Sequence, residues 1–175
     1  QVLQQIAPLW PMFQASGATL DAEAIVEDAG LRIILVATDP DVEKRAEEDR
    51  KLAASPPVKG IVVLGPQSRV IAQFNDDRLH VYYMLQIVNS ARTPVDIGGP
   101  FIIDLPREAR GSTILDDSSP RATANGPRIT VPGPFPPGNT VVNAAYELPY
   151  SGDTAQLVQR WPAALSQLTI FIQQI

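Results

Sequence analysis

The longest alternation of hydrophobic and polar positions in this chain covers residues 79–89. Every second side chain is apolar or aromatic, and these side chains would share one face of an extended strand: Leu79, Val81, Tyr83, Leu85 and Ile87. The opposite face mixes polar and apolar side chains: His80, Tyr82, Met84, Gln86 and Val88. The pattern predicts a strand whose first face lies in the core. We expect its second face to be partly covered by a neighbour or by the N-terminal segment.

Shorter hydrophobic runs, separated by prolines and glycines, predict further strands. We place them at 58–64, 69–74, 101–105, 112–115, 128–131, 141–148, 154–160 and 167–172. The turn-like residues 65–68 between the first two runs predict a hairpin. The chain contains 17 prolines and 11 glycines, which suits short strands joined by punctuated loops. We therefore expect a mainly β fold, an antiparallel β-sandwich.

The N-terminal part has a different pattern. A β-branched run predicts a strand at 31–37, and Asp39 followed by Pro40 is a favourable start for a helix. The helix predicted at 40–54 carries opposite charges four residues apart and few apolar side chains, so we expect a surface helix. It ends at a proline-rich linker. The domains expected are 1–57, an extended segment with a strand and polar helix, and 58–175, the β-sandwich.

The first twenty residues are apolar but interrupted by prolines. Two interpretations stay open: this segment packs onto its own domain, or it binds a partner or membrane surface through side chains such as Leu9, Trp10, Met12 and Phe13. No run approaches the roughly 20 apolar residues that span a bilayer. A membrane anchor outside these residues would fit both apolar ends of the sequence, as would a neighbouring domain.

Charge and cysteine content narrow the range of functions. The formal net charge is −5, whereas nucleic-acid binding requires clustered lysines and arginines. The absence of cysteine excludes disulfides, thiolate nucleophiles and cysteine-ligated metals. Neither nucleic acid nor a cysteine-based centre is expected.

The sequence offers little catalytic chemistry. His80 is the single histidine, and its position within a predicted strand favours a sheet-face residue over a catalytic base or metal ligand. No Gly-x-Ser-x-Gly motif is present. The acid pairs Asp76/Asp77 and Asp116/Asp117 leave calcium open as an alternative to ordinary turn chemistry. We expect no enzyme activity, no cofactor and no metal.

Residues 58–175 resemble secreted or membrane-anchored bacterial proteins labelled carboxypeptidase-regulatory-like. The resemblance is carried by the segments 81–85, 99–106, 118–120, 131–135 and 146–150, which read VYYML, GPFIIDLP, SSP, VPGPF and YELPY. It implies a transthyretin-like or immunoglobulin-like sandwich, an extracytoplasmic location and no peptidase activity.

These patterns favour a non-catalytic structural or interaction module. We expect an accessory subunit, on the periplasmic or extracellular side of a bacterial membrane, that stabilises a larger membrane-associated protein complex. Respiratory and photosynthetic complexes are two types that use such subunits, and no residue here selects either. The side chains expected to contact the partner are Leu9, Trp10, Met12, Phe13, Tyr82, Met84 and Phe135. The alternative is an extracytoplasmic module that binds a glycan or small ligand with the loops at 96–101 and 132–139.

Overall fold

The computed structural model describes residues 19–27, 30–38, 40–75, 78–150 and 155–174. The described chain is mainly β, with one helix and several sheets. It divides into two compact units, and the second unit begins at Ala53.

The first unit contains an antiparallel strand pair and most of a helix: β1 (Thr19–Glu27), β2 (Gly30–Thr38) and α1 (Pro40–Ala53). Strand β2 and helix α1 confirm the predictions at 31–37 and 40–54. Helix α1 has acidic residues in its first turn and basic residues in its last, which suits the helix dipole. Strand β1 was not predicted. It alternates apolar and polar positions, but it is rich in alanine and acidic residues, which are poor strand formers.

The second unit contains the remaining strands. They are β3 (Val58–Lys59), β4 (Val63–Leu64), β5 (Arg69–Asn75), β6 (Arg78–Asn89), β7 (Val95–Asp96), β8 (Phe101–Asp104), β9 (Arg110–Ile114), β10 (Thr123–Asn125), β11 (Arg128–Val131), β12 (Gly138–Pro149) and β13 (Thr169–Gln174). Six of them form one sheet in the order β13–β5–β6–β12–β9, with β4 also paired to β6. All these pairs are antiparallel except β13 with β5, which is parallel. Strands β6 and β12 pair along their whole lengths and form the centre of the sheet.

The predicted hairpin at 58–74 is wrong. Strands β4 and β5 both run antiparallel to β6 and lie along the same strand one after the other. Residues 65–68 bulge between them instead of reversing the chain. The Gly65 N–H donates to the Gln86 carbonyl at 2.8 Å, and the Ser68 hydroxyl accepts the Gln86 N–H at 3.3 Å. The serine side chain therefore replaces a backbone acceptor that the bulge removes.

A second layer covers the inner face of this sheet. It contains the antiparallel sheet β10–β11–β8 and the parallel pair β3–β7. The six-stranded sheet contributes these buried side chains to the core: Leu64, Val70, Ala72, Leu79, Val81, Tyr83, Leu85, Ile87, Val142, Ala144, Tyr146 and Leu148. The second layer and its loops contribute these: Val95, Phe101, Ile103, Leu105, Ile129, Val131 and Phe135. Several sheets around one core are consistent with a β-sandwich, and the predicted core face of β6 is confirmed in full.

The structure confirms most of the other predicted strands. Strands β8, β9, β11, β12 and β13 correspond to predictions, with shifts of a few residues at their ends. The predicted strand at 154–160 is wrong over residues 155–160, which pair with no strand. Strand β10 was not predicted because three residues carry too short a pattern.

Candidate functional site

Strand β13 is an exposed edge of the six-stranded sheet. It pairs with β5 on one side, and among the described residues no strand pairs with its other side. Three consecutive apolar side chains are exposed: Ile170 by 61%, Phe171 by 50% and Ile172 by 73%. The strand contains no charged residue and no proline, the two residue types with which proteins commonly protect a sheet edge from pairing. Strand β13 therefore presents apolar side chains on both faces beside a row of outward backbone groups.

The outer face of the sheet continues this apolar surface away from the edge. Phe171, Ile71, Tyr82 and Ala145 lie side by side on β13, β5, β6 and β12, and we call these four residues the apolar row. Its last three members are half-buried. Met84 is half-buried on the same face of β6. Both sheet residues predicted to contact a partner thus lie on the face that carries the apolar row.

His80 lies on the same face, in a polar row. Its Nδ1 atom is 3.8 Å from Oε1 of Glu147, whose other oxygen accepts a hydrogen bond from Arg78 at 2.7 Å. The His80 imidazole is therefore partly exposed on the face of the sheet. It lies beside the Glu147 carboxylate, which also accepts a hydrogen bond from Arg78. The absence of catalysis stays a prediction.

A buried polar network connects the two layers. Tyr83 donates a hydrogen bond to Oε1 of Gln159 at 2.8 Å, so the hydroxyl of Tyr146, 2.9 Å away, donates to Tyr83. The Gln159 amide nitrogen donates to the Asp104 carbonyl at 3.0 Å, which orients the side chain. Burial raises the pKa of Tyr146 to about 12, although the hydrogen bond with Tyr83 lowers it. Burial is also the main cause that raises the pKa of Tyr83, followed by Tyr146. Both hydroxyls stay protonated at neutral pH.

A cavity of about 320 Å³ lies beside this network. Its walls are the inner faces of β5, β6 and β13 together with the chain around Trp161. The lining is mainly apolar, and the polar residues in it include Gln159 and Tyr83. Ile170 and Ile172 of β13 also line it, although both are largely exposed. The cavity therefore adjoins the exposed edge of the sheet.

Phe135 lies in the core and not at the surface. Only 1% of its surface is exposed, and its ring packs edge-on against Phe101 with centroids 6.3 Å apart. Backbone hydrogen bonds of 2.8 and 2.9 Å join it to Val95. This corrects the expectation of a partner contact, because a side chain so deeply buried has no surface to offer. The same bonds join the residue before the loop 96–101 to the loop 132–139, so the two loops predicted to bind a ligand are held near each other.

The remaining predicted residues divide into two groups. Leu9, Trp10, Met12, Phe13 and the Asp76/Asp77 pair lie outside the described residues. Asp116 and Asp117 are exposed in a turn, where Asp117 adopts a left-handed backbone with φ 61°. Turn geometry accounts for this pair.

The part of the chain that the structure describes shows no metal-binding cluster and no membrane-spanning helix. It contains no group of three or more His, Cys, Asp or Glu side chains that could hold a metal. Within the same residues, no helix is long and apolar enough to span a bilayer.

Sequence reasoning missed the apolar edge. The run at 167–172 predicted a strand, but pairing order decides which strand forms an edge. One signal was available in the sequence, namely the lack of charge and proline throughout residues 169–174. Comparison with family models and with curated proteins finds no match to this chain.

Proposed function

We propose that this chain is a non-catalytic interaction module that binds a protein partner through strand β13 and the apolar row. The observation that carries the proposal is the exposed edge strand β13. Its side chains Ile170, Phe171 and Ile172 are exposed, and the strand contains no charged residue and no proline. Proteins normally protect an exposed apolar edge with charged residues or proline, because an unprotected edge pairs with other chains. An edge without such protection supports a role in strand pairing.

The proposal includes a cellular setting and a fold type. We propose an immunoglobulin-like or transthyretin-like β-sandwich that acts as an accessory subunit of a membrane-associated complex, on the periplasmic or extracellular side of a bacterial membrane. The resemblance of residues 58–175 supports the fold type and the location. The apolar N-terminal segment, with Trp10 and Phe13, supports the membrane association.

The size of the native assembly tests this proposal. A tagged chain produced at its normal level in its native cells should migrate as an assembly larger than the monomer. Ile172→Lys should return it to the monomer, because a charge on β13 opposes burial against a partner. Ile61→Lys is the matched control, since Ile61 is 82% exposed and lies outside β13. An assembly that both variants leave intact would contradict the proposal.

The apolar cavity favours a second candidate, the binding of a small ligand. Its volume of about 320 Å³ falls at the lower end of the roughly 300–1,000 Å³ typical of ligand pockets. The lining suits a mainly apolar molecule with one hydroxyl or N–H group that donates to Oε1 of Gln159, since the amide nitrogen of Gln159 already donates to the carbonyls of Asp104 and Arg160. A thermal-shift screen with amphipathic compounds distinguishes this candidate. A stabilisation that Leu79→Trp removes by filling the cavity would favour it over strand pairing.

A further inference from the structure

We infer that the partner of strand β13 is strand β13 of a second copy of this chain, paired antiparallel in a defined register. The inference rests on the proposed function, because it identifies what binds the exposed edge. Three features support it: the direction of the backbone groups, the pairing of side chains in one register, and the protection of the opposite edge.

The backbone direction determines which residues can bond to a new strand. The Thr169 N–H donates to the Ser68 carbonyl at 3.1 Å, so the backbone groups of Thr169 point toward β5. Successive residues of a strand point their N–H and C=O groups to opposite sides. The groups of Ile170 and Ile172 therefore point outward, where a second strand would bond to them.

One antiparallel register pairs these residues without mismatch. When Phe171 lies opposite Phe171 of the other copy, Ile170 lies opposite Ile172 and Thr169 lies opposite Gln173. Apolar side chains then face apolar ones and polar face polar. The two isoleucine pairs are the hydrogen-bonded positions and supply about four backbone bonds. A shift by two residues in either direction places Phe171 opposite Thr169 or Gln173, so the pairing of the two phenylalanines favours the central register.

The charges allow this contact, since β13 has no charged side chain and two copies do not repel each other there. The apolar row of one copy then continues, through Phe171, into the apolar row of the other. On the inner face, the isoleucines of the second copy extend the exposed wall formed by Ile170 and Ile172 beside the cavity. Pairing thus buries apolar surface on both faces at once.

The other edge of the sheet explains why assembly stops at two copies. Strand β9 carries Arg110 at its start and Gly111 with φ 61°, and its register with β12 is irregular near Ala145. Charge and irregular backbone both discourage strand addition. Of the two edges of the six-stranded sheet, β13 is the one that favours pairing, and because it pairs with itself the contact is isologous and closes at a dimer.

Single cysteines test the register, because the chain contains no cysteine of its own. In Phe171→Cys the two cysteines lie opposite each other, with Cα atoms about 4.5 Å apart, within the range of a disulfide. Mild oxidation should therefore double its mass on a non-reducing gel. Gln173→Cys is the matched control, since its two copies lie roughly 14 Å apart along the strands, so it should form no disulfide and should run at the monomer mass on the same gel. Thr169→Cys should link to Gln173→Cys only when the two variants are mixed.

The outcomes separate this inference from the proposed function. Cross-linking of Phe171→Cys alone and of the mixed pair supports the second copy. Equal cross-linking of Gln173→Cys, or none of Phe171→Cys in chains whose circular dichroism shows an intact fold, overturns it. If Phe171→Cys forms no disulfide but Ile172→Lys still releases the chain from its native assembly, the partner is a different protein and the proposed function stands. If neither variant has an effect, both fail.

Discussion

Replacement of Tyr83 by phenylalanine should destabilise the second unit more than the corresponding change at Tyr146. Tyr83→Phe keeps the ring, its edge-on contact with Tyr146 at 5.3 Å and the packing around it. It removes a hydroxyl that bonds to both Tyr146 and Gln159. The buried Tyr146 hydroxyl then loses its acceptor, which costs about 1–3 kcal/mol. Gln159 also loses the hydroxyl that donates to it. Because Gln159 is only half-buried, this loss costs about 1 kcal/mol, the lower end of that range.

The total expected for Tyr83→Phe is therefore about 2–4 kcal/mol. Tyr146→Phe should cost only about 1 kcal/mol, because Tyr83 keeps the hydrogen bond that it donates to Gln159. The double variant should cost less than the sum, since it leaves no unpaired hydroxyl.

Urea unfolding measures these differences. The fluorescence of Trp161, whose ring centroid lies 5.5 Å from that of Tyr83, reports on this part of the core. A Trp10→Phe background removes the only other tryptophan signal. If Tyr83→Phe costs no more than Tyr146→Phe, or if the two costs simply add, the hydrogen bonds from Tyr146 to Tyr83 and from Tyr83 to Gln159 do not act together as inferred.

Burial raises the pKa of Tyr146 to about 12, so the folded chain keeps a proton that the unfolded chain releases above pH 10. The pKa of Tyr83 is raised as well. From pH 10 upward the unfolding free energy should therefore fall by about 1.4 kcal/mol per pH unit for each of Tyr83 and Tyr146, and the slope should be shallower in Tyr83→Phe. Gly65→Ala should destabilise by about 1–3 kcal/mol, because the new Cβ would lie 2.6 Å from a Val88 methyl group; thermal melts should show partial recovery when Val88→Ala is added. Asn89→Leu should cost about 2–4 kcal/mol in urea unfolding, because the buried Asn89 amide donates to two loop carbonyls; a loss below 0.5 kcal/mol, ordinary for surface changes, would contradict this.

The sequence predicts the centre of the fold well because β6 carries a strong local signal. Five large side chains alternate with more polar ones, from Leu79 to Ile87, and all five are buried. The helix was equally clear, since Pro40 and the paired charges lie within one continuous segment. Such elements depend on local chemistry.

The failures depend on pairing between distant segments. Residues 65–68 contain glycine and proline and predict a reversal, yet the bonds from Gln86 hold them as a bulge. The stretch around Gln159 has apolar residues at strand spacing, but its glutamine bonds to Tyr83 and Asp104 instead of joining a sheet. No local pattern encodes these partners.

The candidate site was predicted only in part, because it also depends on pairing between distant segments. Tyr82 could be placed on the second face of β6 from alternation alone. Its alignment with Phe171 across β5 depends on the strand order, which no short segment specifies. Phe135 was misplaced because its proline-rich surroundings resemble an exposed loop, whereas its backbone bonds to Val95 and its ring enters the core.

Amide hydrogen exchange at strand β13 tests the central claim most directly, whatever the partner is. In the Ile172→Lys monomer, the Ile170 amide points away from β5 and should exchange fast, whereas the Phe171 amide bonds to β5 and should be protected. In the native assembly of the unaltered chain, the Ile170 and Ile172 amides should become protected as well. Fast exchange of both amides within an intact assembly would show that no strand pairs with this edge and would contradict the account.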